Sequence, residues 1–394
     1  MYGLLYFGVF VGLVQGGFFD LTDVEDPFAL LWNFQPIRDK LTHCSIGDVS
    51  GICMEKAKCL IAGGTITKKS CGPFFTCCSL PTKCGATSDK KQAYFSSGSL
   101  NPTTTTCQYT IKLRNKNVCQ VRLDFEELIL APTISFHSST LNKNVLTCVN
   151  DSLHINPKPY GLPVVCGNST KQHLFVHVNQ TSDSISAVTI EINLANRLDP
   201  SSDKLPSPKW KIKFTQLECP LKRHKFDIFK YGDVENINND FYALAPHGAV
   251  QYFTEQTGEF WSFALSNADS DNTLTGYPFG AHYTIAFRRP SSKSCIKFIP
   301  SEIKLLPSSV GVSPHNCGDY LHVPEYYTDS DLSTTTEPMS EVCETTSSFY
   351  SLVPGPFFVN FKSMETLTDV PMNGNFYFAI TYQIFNSGCP DNVS

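Results

Sequence analysis

The residues best able to do chemistry in this chain are its cysteines and a few histidines and aspartates, and their spacing already sorts them. Sixteen cysteines are present, an even number. Six fall between 44 and 78, at Cys44, Cys53, Cys59, Cys71, Cys77 and Cys78, the last two adjacent in "CGPFFTCC". Zinc would need CxxC pairs or histidines at finger spacing, but the gaps are eight, five, eleven and five residues and only His43 is near. A dithiol redox centre also needs CxxC. A disulfide framework is the remaining reading, and spacing alone leaves fifteen pairings of these six open. His173 and His177 in "KQHLFVHV" lie four apart and would share a strand face as a metal pair does. No acid or third ligand accompanies them, so they read as partly exposed strand histidines. Neither a G-D-S-G-G nucleophile loop nor H-E-x-x-H occurs. The expectation is a protein that is not an enzyme and carries no cofactor.

The compartment decides how the cysteines are read. "MYGLLYFGVFVGLVQGG" is apolar, has no acidic residue and closes on small residues, which predicts a signal peptide over residues 1–16 cleaved after Gly16. A retained anchor is the competing reading, but the run is short for a bilayer span and lacks a basic flank. No later segment is long and apolar enough to span a membrane. Sequons at Asn150, Asn168, Asn179 and Asn392 agree with N-glycosylation on a secretory route. An oxidising destination turns an even cysteine count into disulfides. With 41% hydrophobic and 17% charged residues the chain has the composition of packed domains. A net charge of −5 with scattered Lys and Arg supplies no electrostatic reason for nucleic acid or an anionic membrane as partner.

These residues must be positioned by three kinds of chain. Residues 17–43 carry no cysteine and read as a lead-in. Residues 44–78 are too few to bury a sufficient core and need stapling, with three bridges contributing about 2 to 4 kcal/mol each. Beyond Cys78 the pattern becomes strand-like. Val121, Leu123 and Phe125 alternate with Gln120, Arg122 and Asp124; Val188, Ile190, Ile192 and Leu194 alternate with Thr189, Glu191 and Asn193; "WKIKFTQL" repeats the pattern with Trp210, Ile212 and Phe214. Short strands between Pro, Gly, Ser and Asn clusters argue for an all-β antiparallel sandwich. The layout then recurs. Cys119, Cys148, Cys166 and Cys219 are answered by Cys295, Cys317, Cys343 and Cys389, and "VCQVRLDF" by "SCIKFIPSEI", which reads as a tandem duplication with domains at 79–219 and 220–394.

Two resemblances follow from these residues. The six-cysteine order ending in an adjacent pair resembles the clip domain of arthropod secreted proteins, and implies bridges Cys44 to Cys77, Cys53 to Cys71 and Cys59 to Cys78. The opening Cys84-Gly, the C-x-Y-x-I strand at Cys107, "CQVRLDF", "LAP" and the closing W-x-I-x-x-x-Q resemble the first CUB domain of insect secreted proteins that pair a small cystine module with two CUB-like domains. "APHGAVQYFTEQTGEFWSFA" to "YTIAFRRPSSKSCIKF" is similar, more loosely, to the second. The resemblance implies two jelly-roll sandwiches and bridges Cys84 to Cys107, Cys119 to Cys219, Cys148 to Cys166, Cys295 to Cys389 and Cys317 to Cys343. Two departures stand out: Ala249 and Ala286 occupy positions that are cysteine in those relatives, which implies loss of one whole bridge. Many CUB domains hold calcium between an acidic residue after the early strand and an aspartate three past the third cysteine. Asp151 keeps the second position, Ala131 stands at or near the first, and Asp319 in "CGDY" is two past its cysteine. Calcium needs six to eight oxygens, so the expectation is no metal, with Asp151 the one weak candidate and turn capping its plainer role.

"LKRHK" at 221–225 reads as a solvated linker or a trypsin-like processing site, and "YYTDSDLSTTTEPMSE" at 326–341 as a mobile, acidic, Ser/Thr-rich surface loop. The sum is a secreted, extracellular, disulfide-rich glycoprotein that binds a protein or carbohydrate ligand. The other reading is a non-catalytic cofactor or regulator of an extracellular serine-protease cascade, or a venom or reproductive-fluid component.

Overall fold

A computed structural model describes residues 43–46, 49–61, 64–72, 75–79, 83–98, 100–178, 186–219, 239–264, 274–306, 318–328, 339–343, 347–351, 357–363 and 374–386. The lead-in before His43, the 221–225 stretch, Asn179, Asn392, Cys317 and Cys389 lie outside the described residues.

The small N-terminal module runs β1 (His43–Ile46), β2 (Val49–Glu55), α1 (Lys56–Ile61), β3 (Thr65–Ser70) and β4 (Phe75–Ser79). Its strands form one antiparallel sheet in the order β1-β2-β4-β3. The packing is too tight for a side chain at Gly51, where a Cβ would stand 2.5 Å from the Cys78 carbonyl.

The first sandwich holds β5 (Thr87–Ser88), β6 (Gln92–Ser96), β7 (Thr106–Lys112), β8 (Val118–Ile129), β9 (Ile134–Ser138), β10 (Lys143–Thr147), β11 (Ser152–Asn156), β12 (His173–His177), β13 (Ala187–Asn193) and β14 (Lys209–Glu218). Two four-stranded sheets, β11-β13-β7-β5 and β12-β8-β14-β6, face each other, and β9 and β10 form a separate hairpin. The alternation read from sequence is what fills the space between the sheets. Val121, Leu123, Phe125, Val188, Ile190, Ile192, Ile212 and Phe214 are fully buried, and Phe95 packs against Tyr109 at 5.1 Å and Trp210 at 5.5 Å between ring centres.

The second sandwich holds β15 (Ala249–Phe253), β16 (Thr257–Trp261), β17 (Leu274–Gly276), β18 (His282–Phe287), β19 (Cys295–Lys304), β20 (Tyr320–Thr328), β21 (Met339–Val342), β22 (Phe349–Ser351), β23 (Phe357–Lys362) and β24 (Gly374–Phe385). Its ladder follows β15-β18-β23-β20-β22-β19-β24-β16. The long β20 takes different partners at its two ends: Tyr320–His322 pair with β23, and Tyr326–Thr328 pair with β22. Between those halves Glu325 takes φ +44°, a positive value outside the ordinary strand region. Part of the sequence's supposed loop at 326–341 is therefore strand, with Tyr326 buried and 329–338 outside the described residues. Phe253, Phe260, Phe287 and Tyr382 form the aromatic centre, with Phe287 and Tyr382 ring centres 4.7 Å apart.

The two sandwiches repeat one layout. β8 pairs with β14 in the first as β19 pairs with β24 in the second. The fold is all-β, two tandem antiparallel jelly-roll sandwiches behind a small disulfide-rich module, with three short parallel pairings among the described residues, β5 with β7, β15 with β18 and β17 with β24. One apolar cluster runs from Cys59 and Cys78 in the module through both cores. No helix among the described residues is long and apolar enough to cross a membrane.

Candidate functional site

The most heavily built region outside the cores is a seam where the edge strand β12 of the first sandwich meets the edge strand β15 of the second. It begins with a strap. After the first sandwich, a 3-10 turn at Asn239–Ala243 lies along it, and the Asp240 carboxylate accepts the Glu218 N–H at 3.0 Å and pairs with Lys91 at 3.1 Å. Ala245 then exchanges two bonds with the Gln120 amide: Nε2 donates to Ala245 O at 2.7 Å, and the Ala245 N–H donates to Oε1 at 2.9 Å.

β12 turns three side chains toward the newcomer. His177 donates from Nε2 to Ala249 O at 2.8 Å. His173 places Nε2 3.0 Å from Tyr252 O and accepts the Tyr252 N–H at 3.1 Å. Phe175 between them is fully buried among Leu217, Ala245, Ala249 and Ala286. The edge of a sheet exposes backbone donors and acceptors that need partners, and here imidazoles supply them. Burial, with the Arg122 guanidinium adding to it, pushes the His173 pKa down to about 3. Burial also lowers that of His177, and nearby His247 acts in the same sense. Of the two histidines read from sequence as partly exposed, His173 is buried and His177 keeps partial exposure, and both bond the neighbouring strand. Period two says only that they share a face, and not that a neighbour covers it. Gln120 was misplaced for the same reason, since alternation points it outward and the strap buries it.

The contact continues past β12. Gln172 Nε2 donates to the Trp261 and Ser262 carbonyls, both at 3.1 Å, and the Ala264 N–H donates to Ser169 Oγ at 3.3 Å. Thr133 Oγ1 donates to Gly276 O at 2.7 Å and accepts from Gly276 N–H at 3.0 Å. The His282 N–H donates to Gly161 O at 2.6 Å. Gly161 sits at φ +68°, and a Cβ there would lie 1.5 Å from His282 O, so only glycine fits.

Asp151 lies in a second cluster, at the loop end of the first sandwich. Its side chain is fully buried, Oδ2 accepts the Ala131 N–H at 2.8 Å and Arg197 Nη2 at 2.6 Å, and Oδ1 accepts the Ala195 N–H at 3.0 Å. A guanidinium and two backbone donors therefore already engage both carboxylate oxygens. Asp319, its loose counterpart, is buried against Tyr277, whose hydroxyl pKa is raised by burial and then by that carboxylate. On the open part of the β8 and β14 face, Arg122 pairs with Asp124, Lys211 with Glu126 and Lys209 with Glu127, each at 2.8 Å.

The cysteines are placed as follows. Cys44 is bonded to Cys77, Cys53 to Cys71, Cys59 to Cys78, Cys84 to Cys107, Cys119 to Cys219 and Cys148 to Cys166. Cys295 and Cys343 are also disulfide-bonded. The sulfurs of Cys44, Cys53 and Cys71 lie within 4.8 Å of one another, but as disulfides they offer no thiolate to a metal. Asn150 and Asn168 are half-buried, and Asn168 Oδ1 accepts the Thr170 N–H at 3.1 Å. Sequence reasoning missed Arg197 and the strap, whose partners lie 46 and 125 residues away.

Comparison with known proteins adds a family for part of the chain. Residues 246–385 match the family model of the animal CUB domain. The second sandwich is CUB-like. The first shares its layout, so the chain carries two CUB-like sandwiches in tandem. Among solved structures the chain is similar to the CUB1-EGF-CUB2 domains of rat MASP-1, at 12% identity over 75% of this chain and 99% of that one, with a TM-score of 0.23. It is also similar to the CUB1-EGF-CUB2 domain of human MASP-1/3, at 13% identity over 75% and 100%, with a TM-score of 0.22. No curated protein matches.

Proposed function

We propose that this chain is a secreted, non-enzymatic, extracellular binding protein whose two CUB-like sandwiches contact a protein or carbohydrate ligand. CUB domains are in general non-catalytic interaction modules of extracellular proteins, and the match over residues 246–385 is the observation that carries the reading. The seam supports it, because two sandwiches held by side-chain and backbone bonds along their length can offer one shared surface to a ligand at little ordering cost. In this reading residues 1–16 are a signal peptide, 17–43 a lead-in, 44–78 a clip-like module, and 79–219 and 220–394 the two CUB-like domains. Cys295 pairs with Cys389, Cys317 pairs with Cys343, and glycans stand at Asn150, Asn168, Asn179 and Asn392. Asp151 holds Arg197 in place of a metal.

The disulfide-rich module favours a second reading, a non-catalytic regulator of a serine-protease cascade, since six bonded cysteines of this order resemble a clip domain. Affinity capture with the mature chain from its native fluid, followed by binding between purified partners, tests the choice. The first reading expects a ligand that is not a protease. Capture of a serine protease whose activity changes on binding would move the assignment to the second.

A further inference from the structure

The seam joins two sandwiches through two neutral imidazoles. His177 donates from Nε2 to Ala249 O, so its Nδ1 is the acceptor that faces Gln120 Nε2 at 3.4 Å. Gln120 cannot turn its amide to suit a protonated ring, because Nε2 and Oε1 are both engaged by Ala245. A proton on His177 Nδ1 therefore meets an N–H donor. The flip that would relieve this breaks both bonds between Gln120 and Ala245.

His173 is enclosed by aromatic rings, with Phe253 at 4.8 Å and Phe175 at 5.8 Å between centres. Around the pair, β8 contributes Arg122 and Asp124, the strap His247, β15 Tyr252, the chain after β18 Arg288, and the 160 loop Tyr160. Asp124 is the one carboxylate in this set, and Arg122 holds it at 2.8 Å. An imidazolium in either position gains no free counter-charge and loses its hydration, and at His173 burial and Arg122 outweigh the pull of the Tyr252 carbonyl 3.0 Å from its Nε2.

We propose that the seam is an acid-released latch, in which protonation of His173 and His177 frees the edge of the second sandwich from the first. The sign follows from linkage. The closed seam lowers both histidine pKa values, so the open form binds more protons, and closure is at full strength above about pH 6.5. It weakens as pH falls from there toward the lowered values. With His173 pushed down to about 3, the open form gains roughly 100-fold at pH 4.5 from that residue alone. His177 adds to this in the same direction.

Hydrogen exchange and X-ray scattering on the mature chain at pH 7.4 and 4.5 test the latch. Protection of the β15 amides, corrected for intrinsic rates, should fall roughly 100-fold or more. The maximum dimension should lengthen while β13 stays protected. Substituting both residues, His173→Gln with His177→Gln, keeps hydrogen-bonding amides that do not titrate and should cut the pH effect on β15 to under about threefold. If the double variant folds poorly, His177→Gln alone should still shrink the effect, and His137→Gln on the exposed β9 hairpin should leave it whole. Constant β15 protection in the native chain, loss of β13 together with β15, or an undiminished response in the glutamine variants would each overturn the proposal.

Discussion

Two edge strands face each other in this molecule, and they are finished in opposite ways. β12 of the first sandwich gives side chains, His173, Phe175 and His177, across the boundary, whereas β15 of the second receives them on its backbone. The first sandwich also closes its own loop end with the Asp151–Arg197 pair and is braced by the Cys119–Cys219 bond between the start of β8 and the end of β14. In the second, Ala249 and Ala286 are buried against Phe175 and Leu217 from the first. The difference teaches a dependence. Side chains of the first sandwich supply the bonds along its neighbour's edge, so damage should pass from first to second more readily than in reverse.

The largest test of that asymmetry removes the brace. Substituting Cys119→Ser with Cys219→Ser opens a crosslink of sequence separation 100 and should destabilise the first sandwich by about 4 to 5 kcal/mol. Urea unfolding followed by exchange should show β15 losing protection along with β8. Survival of β15 after β8 has opened would break the dependence. Next in size, Arg197→Ala leaves a buried carboxylate without its cation and should cost about 3 kcal/mol, read as a fall in the urea midpoint. A smaller effect is expected at the strap. Gln120→Ala removes two buried bonds to Ala245 and should cost about 1 to 3 kcal/mol, expressed in β15 rather than in β13. Smallest of all, calcium or a chelator should leave exchange around Asp151 unchanged, because its oxygens are engaged within the protein. A rise in protection there on adding calcium would show that Arg197 yields to a metal.

Much of the fold was legible in the residues, for a physical reason. Each of β8, β13 and β14 buries one face, and a half-buried strand must alternate, so Val121 to Phe125, Val188 to Ile192 and Trp210 to Phe214 announce themselves. The repeat was legible because the same pairing, β8 with β14 and β19 with β24, carries the same local pattern twice. The seam was not. An imidazole pair four apart on a strand reads alike whether it meets water or a neighbouring strand, and the partners of His173 and His177 lie 79 and 72 residues on. Arg197 was hidden in a loop, where no period links it to Asp151. The 326–341 stretch misled for the converse reason, since its acidic, Ser/Thr-rich composition masks two segments, at Tyr326–Thr328 and at Met339–Val342, that the sheet takes up.

The claim that side chains of the first sandwich hold the edge of the second is tested most directly by hydrogen exchange of Phe175→Ala against the native chain at neutral pH. Phe175 lies outside its own sandwich's core cluster and is fully buried in a cluster that includes Ala249 and Ala286 of the second. Its truncation should cost about 3 kcal/mol. The account predicts that β15 and β18 lose protection by roughly 100-fold, while β13, in the far sheet of the first sandwich, stays within about twofold. Unchanged protection in β15, or equal loss in β13 and β15, would contradict it.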